Sequence, residues 1–380
     1  MFITRFKHDQ ALSREFVDLE YRLYRNDPHW VPPLRRGRLR EVGADNPLFQ
    51  RPGHDRIHLL VHDGHHAVGR PVGRLVAAVS PDLRDEDGAP VGTVGMFECD
   101  ESPAAASALL GAGVEWLREK HGIRRVWGPM NYDIWHGYRL MIRGFDERRF
   151  HGEPYNKPYY DAFFRSAGFE VAKSWKSVEV TGSDRLAVLH DRGKDRLLRA
   201  KAQGYRFRTF DTGRFQEDLR ELHGLVTRSF RGFLGYTDIT FDSFEQLFAP
   251  DRRALDPRLI TFVHDPAGRL VAFMGSFPDL AEAVASMRGR SGPRARLRFA
   301  LRRRTADRVL VYLVGSNDEE RRKGSGLGRA LGAHLVEQMR NAGYSSLIAA
   351  LMAEGSPAGP LLAGQGGESE REYVLYRLGS

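Results

Sequence analysis

The chain has 380 residues, 41% hydrophobic and 28% charged, with a formal net charge of +9 and a single cysteine, Cys99. This composition excludes disordered and fibrous chains, and the length suits two domains with separate cores. No apolar run approaches the ~20 residues of a bilayer span, no signal peptide is evident, and one cysteine makes no internal disulfide, so a cytoplasmic protein with no membrane partner is expected.

In chain order, "ALSREFVDLEYRLY" predicts an amphipathic helix with Phe16, Leu19, Leu23 and Tyr24 on its apolar face. "RIHLLVHDG" and "RPVGRLVAAVS" predict two strands around a turn at Asp63 and Gly64, and "VGTVGMFEC" a third, with Cys99 as a small core residue at its end. Ser102 as N-cap, Pro103 in the first turn and Gly122 past the end delimit a helix. A strand at "IRRVWGP", a short helix in "KPYYDAFFRSAGF" and the strand "VAKSWKSVEV" close the first half. Residues 183–204 read as a connecting helix. The second half then repeats the order: the strand "YRFRTF", the helix "FQEDLRELHGLVTRSF", strands in "RLITFVHD" and "GRLVAFMGSF", an arginine-rich insertion, the strand "RVLVYLV", a further helix and the strand "SSLIAAL". The repeat predicts an α/β fold of the α+β type: two units, 1–182 and 205–380, each a mixed, mainly antiparallel sheet flanked by helices.

The insertion, "RGRSGPRARLRFALRRR" from Arg288 to Arg304, holds eight arginines and no acid. Such a run suits a nucleic-acid backbone or an anionic ligand. A solvated loop is the plainer reading. No helix-turn-helix, zinc-finger or RNA-stacking signature accompanies the run, which disfavours a nucleic-acid partner.

The most informative stretch is "DEERRKGSGLGRALGAHLVEQMRNAGY", where Gly324, Gly326 and Gly328 precede or open an amphipathic helix. Bare glycines let phosphate oxygens approach backbone amides, and a helix start adds unpaired N–H groups and the positive end of its dipole. Arg321, Arg322, Lys323 and Arg329 add positive charge. A dinucleotide fingerprint fails because Arg329 occupies its third glycine position, and the spacing of a Walker-type loop is absent. The stretch resembles the acyl-CoA-binding signature of the GNAT (GCN5-related N-acetyltransferase) superfamily, in which Gln or Arg precedes a Gly-x-Gly/Ala pair. Two registers fit: Arg321 with Gly324 and Gly326, or Lys323 with Gly326 and Gly328. The pieces "LYRNDPHWVPPL", "GPMNYDIWHGYRLMIRGFD", "PYNKPYYDAFFRSAGFE" and "FPDLAEAVASMRGR" extend the resemblance to an uncharacterised bacterial family of tandem GNAT-like proteins.

The resemblance implies acetyl-CoA or a longer acyl-CoA as co-substrate. Its diphosphate would lie on Arg322, Lys323, Gly324, Ser325, Gly326, Leu327, Gly328 and Arg329, and its pantetheine arm on the preceding strand at Leu313 and Val314. The implied reaction is acyl transfer to the primary amine of a small-molecule or peptide acceptor. A tyrosine often serves as acid in such enzymes, but the matching stretch "EGSPAGPLLAGQGG" keeps Ala358 and Leu361 and has Leu362 at the tyrosine position. Glu354, Tyr312 and Tyr376 remain as candidate catalytic groups, each also readable as a surface or sheet residue. The missing tyrosine motivates an alternative, a non-catalytic acyl-CoA binder or sensor; a nucleic-acid binder acting through Arg288–Arg304 is a second alternative.

The first half has "DESPAAAS" where a phosphate loop would stand, with acids in place of anion-binding groups, and is expected to be degenerate. Its aromatic and amide-rich segment nominates Asn131, Trp135 and Tyr138 for an acceptor pocket, interdomain packing being the other reading. His54, His58, His62, His65 and His66 invite a metal site. Histidines four apart on a strand, however, lie ~13 Å apart, and solvated turn positions suit the others. No metal is expected.

Overall fold

A computed structural model describes residues 1–64, 69–248, 255–355 and 370–379. The first half builds strands β1 (Phe2–Phe6), β2 (Asp55–His62), β3 (Pro71–Arg84), β4 (Pro90–Cys99), β5 (Arg125–Gly128), β6 (Leu140–Arg143) and β7 (Glu170–Thr181). Its helices are α1 (Gln10–Leu23), α2 (Arg35–Val42), α3 (Pro103–His121) and α4 (Tyr160–Ser166). Helix α5 (Ser183–Ala202) leads to strands β8 (Arg206–Thr209), β9 (Ile260–His264), β10 (Leu270–Pro278), β11 (Arg308–Ser316), β12 (Ser346–Ala353) and β13 (Glu370–Leu378). Between them lie α6 (Phe215–Phe230), α7 (Phe241–Phe248), α8 (Ala281–Met287), α9 (Pro293–Arg302), α10 (Asp318–Lys323) and α11 (Leu327–Ala342).

Local chemistry sets the helix ends. Ser102 Oγ accepts the Ala105 amide at 3.3 Å, Pro103 opens α3, and Gly122 (φ +67°) ends it. Strand alternation then assigns each helix a face. Leu59, Val61, Leu75 and Ala77 share a core with α3, whereas Leu60, Val76 and Ala78 face Phe16 and Val17 of α1. The arginine-rich insertion, whose plainer reading was a loop, folds as α9. Pro293 sits in its first turn, and the Arg, Ala and Leu residues that follow are strong helix formers.

All the strands form one sheet, in the order β1-β2-β3-β4-β5-β13-β7-β12-β11-β10-β9-β8, with β6 also on β13. The β4–β5 and β11–β12 pairs are parallel and the rest antiparallel. The halves therefore approach a common centre from both edges. There they exchange partners: β7 of the first half pairs with β12, and the last strand, β13, lies between β5 and β7. Strand β7 thus does not simply close the first half, as its place in the chain suggests. The exchange completes two cores at once, because β13 puts Val374 and Tyr376 against α3 and α4 and puts Tyr373 and Leu375 into the central cluster.

Buried charge fastens this centre. Arg308 of β11 is 1% exposed; it reaches Glu179 of β7 at 3.1 Å, donates through Nε to Asp279 at 2.9 Å, and donates to the Arg149 carbonyl at 2.7 Å. Arg371 of β13, fully buried, lies 3.5 Å from the same Glu179 and 3.3 Å from Glu153. Removing one member strands buried opposite charges. Arg308→Met should therefore lower the unfolding free energy by about 3–5 kcal/mol, measured by urea denaturation at neutral pH.

Candidate active site

Two parallel strand pairs carry opposite fates. In the second half, β11 and β12 pair from Arg308↔Ser346 to Val311↔Ala349 and then part. Each strand bulges at the parting. On β11 the register against β10 steps from Val311 to Leu313, so Tyr312 is the extra residue. On β12 the step falls between Ala349 and Met352, where Leu351 adopts φ +54° and its amide donates to Ser177 Oγ at 2.9 Å. Beyond the fork Tyr312 and Val314 are 38% and 41% exposed, while Leu313 packs inward with the α6 cluster.

Directly after β11 the chain makes α10, capped by Asn317 Oδ1 accepting the Glu320 amide at 2.9 Å. Gly324 (φ +59°) ends α10 and Gly326 (φ +72°) caps α11, left-handed conformations that a side chain resists. Helix α11 starts at Leu327, so the register of Lys323, Gly326 and Gly328 spans the end of one helix and the first turn of the next. A Cβ at Gly328 would meet nothing within 4 Å. Arg329 and Ala330 already donate their amides to the Gly326 carbonyl, at 3.0 and 3.2 Å, which leaves the Leu327 and Gly328 amides without an intrahelical acceptor. Lys323 is paired with Glu319 and Glu320, at 2.7 and 3.2 Å, and Arg321 donates to the Ser316 carbonyl at 2.7 Å. Arg322 and Arg329 are exposed. Arg196 of α5, unmarked in the sequence, lies against the loop: a Cβ at Gly326 would come 3.1 Å from its Cδ. It is brought there by Gly193, where a Cβ would fall 2.2 Å from the Arg329 carbonyl oxygen, so α5 packs backbone-close on α11.

The equivalent fork in the first half is sealed. Strands β4 and β5 pair from Val91↔Arg125 to Thr93↔Trp127. The chain after β5 then continues the closure: the Met130 amide donates to the Val94 carbonyl at 2.9 Å, and Asn131 Oδ1 accepts the Met96 amide at 2.7 Å. Asp100 and Glu101 stand before α3, the wrong sign for an anion.

Between the halves lies a cleft of about 930 Å³. Asn131, Trp135 and Tyr138 all line it, as do Tyr312, Leu313, Val314 and Glu354. Trp135 Nε1 donates to the Thr237 carbonyl at 3.0 Å, and Tyr138 sets its ring edgewise to Trp175 at 5.5 Å. Arg139 stacks over both Tyr138 and Trp175, at 3.8 and 4.5 Å. The Tyr312 hydroxyl donates to the Gly152 carbonyl at 3.3 Å. Glu354 is exposed at the rim, accepting from the Ser174 hydroxyl. Tyr376 is elsewhere: buried in the first half's core, stacked on Phe164 at 5.4 Å, its hydroxyl on Asp161. Ala358, Leu361 and Leu362 lie outside the described residues.

Two cleft groups were not singled out for chemistry in the sequence. His136 Nδ1 lies 2.6 Å from Asp133 Oδ1, and Asp133 is itself held by the Trp135 amide at 2.9 Å and the Thr237 hydroxyl at 3.1 Å. Burial opposes a charge on His136, but the hydrogen bond and charge of Asp133 outweigh it and raise the imidazole pKa. The pairing directs the Nδ1 proton to Asp133 and leaves Nε2 free to accept. Glu98, at the first half's end of the cleft, accepts from Tyr24 and Tyr160 at 2.9 and 2.8 Å, and burial raises its pKa despite Arg74.

Cys99 is buried, which pushes its thiol to about 12 and makes it a poor nucleophile. His58 stacks on Phe6 at 5.0 Å, and His62 lies 3.2 Å from the Thr4 hydroxyl and 2.7 Å from the Gly69 carbonyl. His65 and His66 lie outside the described residues. Among the described residues no helix is long and apolar enough to cross a membrane.

The architecture has solved counterparts. A tandem GNAT protein from the clavulanic acid biosynthesis pathway superposes with a TM-score of 0.53 at 16% identity, covering 100% of this chain and 98% of its own. The fold is therefore that of the GCN5-related N-acetyltransferases, two units in tandem. In sequence, Protein YghO of Escherichia coli is 26% identical over 335 residues, 86% of this chain and 81% of that protein. A Caulobacter vibrioides protein named bacterial ceramide synthase is 25% identical over 287 residues, 74% and 71% of the two chains. No family model matches the chain.

The seal of the first half makes its own prediction. Asn131→Ala leaves the Met96 amide without its acceptor and should cost about 1–3 kcal/mol, read as a lowered melting temperature.

Proposed function

We propose that this chain is an acyl-CoA-dependent N-acyltransferase with one working half. The observation that supports this most directly is the asymmetry of the forks: the β11–β12 fork opens beside a glycine loop and a helix start, and the β4–β5 fork is stitched shut. The amides of Gly326, Leu327 and Gly328, with Arg196, Arg322 and Arg329, would hold the diphosphate of coenzyme A. The exposed edge at Tyr312, Leu313 and Val314 would pair with the pantetheine arm. Acyl-CoA supplies the activated acyl group.

The chain's part is positioning and proton transfer. An amine acceptor is mostly ammonium near neutral pH and must lose a proton before it attacks. His136 Nε2 accepts that proton, with Asp133 stabilising the resulting imidazolium. Tyr312 stands at the mouth of the fork, where its hydroxyl would turn from the Gly152 carbonyl to give its proton to the departing thiolate sulfur. The cleft's wall of Trp135, Tyr138, Trp175, Phe230 and Phe233 suits an acceptor with a long apolar tail. The relative named ceramide synthase supports the same class, because ceramide is an N-acylated long-chain amino alcohol.

Acetyl-CoA and palmitoyl-CoA should each raise the melting temperature. Gly326→Asp should abolish that rise, since a carboxylate repels phosphate and a side chain resists the backbone conformation there. Release of free thiol on adding long-chain amines separates turnover from a non-catalytic acyl-CoA sensor.

The dyad carries a pH signature. A raised His136 pKa means the base is lost as pH falls below it, so kcat/KM should climb with pH to a plateau. Asp133→Asn should move the acidic limb to lower pH, and His136→Gln should lower kcat by about 10²–10⁴-fold while the melting shift with acyl-CoA persists.

A further inference from the structure

We propose that α9 is a docking element for the surface of an anionic lipid bilayer. This is a contact lying on the membrane, separate from a span through it, and it does not depend on turnover. Helix α9 rests on the protein through Ala295, 4% exposed, with Phe299 half-buried on the same side. At 100° per residue the opposite side carries Leu297 and Leu301, four residues apart, and these are 62% and 57% exposed. Arg294 and Arg298 flank the leucines on one side and Arg296 on the other, all exposed, followed by Arg302 and Arg304. Among the described residues, none of Arg294, Arg296, Arg302 and Arg304 forms an ion pair, and Arg298 reaches only the Ser286 carbonyl, at 3.5 Å.

Two leucines pointing at solvent inside a ring of guanidinium groups are costly in water and matched to a lipid interface. The leucines enter the acyl boundary and the arginines take headgroup phosphates. A nucleic acid would use the arginines and leave the leucines unexplained. The surroundings agree. The Arg35 amide donates to the Gly289 carbonyl at 3.0 Å, tying the α8–α9 connection to α2, whose start adds exposed Leu34 and Arg36. Pro33, against that connection, and Val284 of α8 both line the cleft. Docking through α9 would therefore bring the cleft toward the lipid, where an amine with an apolar tail resides.

The test is co-sedimentation of the full chain with large vesicles of phosphatidylcholine alone and of phosphatidylcholine with 30% phosphatidylglycerol, a composition on the order of an anionic inner leaflet, alongside gel-shift with a mixed-sequence RNA. Binding is expected only to the anionic vesicles and should weaken with salt. Arg294→Gln with Arg298→Gln should lower partition about 25-fold, and Leu297→Ser with Leu301→Ser by about tenfold or more. Circular dichroism melts should match the parent, because all four side chains are exposed. No binding to anionic vesicles at low salt would overturn the proposal. So would full retention by the leucine pair, or RNA binding without vesicle binding. The acyl-CoA melting shift, read separately, reports on the transferase proposal alone.

Discussion

The structure depends on the pairing of β13 with β7 at the middle of the sheet. Each is the last strand of its own half, and each is hydrogen-bonded to a strand of the other half. Neither half has a complete sheet without the exchange. Glu179 marks the point where it is fastened, since Arg308 from β11 and Arg371 from β13 both approach it in the interior. A buried ion pair gives little net stability against a hydrophobic alternative. It is exacting about partners, however, and a slipped register would bury these charges unpaired.

The cleft is a consequence of that centre. Strand β7 sets Trp175 opposite Tyr373 of β13 and Ala353 of β12, and Trp175 supports both Tyr138 and Arg139 on the cleft wall. The loop that carries Asn131, Trp135 and His136 belongs to the first half, while Tyr312 and Val314 belong to the second. A site assembled this way exists only when both halves are joined in register. The unit whose fork is sealed contributes the aromatic wall and, on the proposed mechanism, would contribute the base.

Legibility followed the range of the forces involved. The ends of α3 were readable because Ser102, Pro103 and Gly122 act within a turn of themselves. The glycine loop was readable for the same reason: Gly324 and Gly326 are left-handed because of their immediate neighbours in the chain. The exchange of β7 and β13 was not, since alternation in "REYVLYRL" says which residues share a face and nothing about which strand lies beside them. His136 and Asp133 are three residues apart, a spacing that carries no signal outside a helix. What makes them a pair is a turn held by Asn131, whose amide donates to the Gly137 carbonyl at 2.8 Å, and by Thr237, about a hundred residues away in sequence. Arg196 was equally hidden, because it takes two packed helices and a missing Cβ at Gly193 to bring it to the loop.

The contrast between the forks shows how one architecture yields two outcomes. Both halves place a bulge beside a parallel pair and begin a helix beneath it. In the second half the glycines leave the Leu327 and Gly328 amides bare, Arg196 lies against the loop with Arg322 and Arg329 exposed beside it, and the preceding acids Glu319 and Glu320 are paired with Lys323. In the first, Ser102 occupies the helix start, acids precede it, and an asparagine side chain fills the bulge amide at 2.7 Å. Each difference is local and small. Together they set the two forks apart: amides stand vacant at the second and are filled at the first, which bears directly on where an anion could be held. On the transferase reading proposed above, only one of the two forks on the shared cleft would take the cofactor, and the sealed one would be left to face the acceptor.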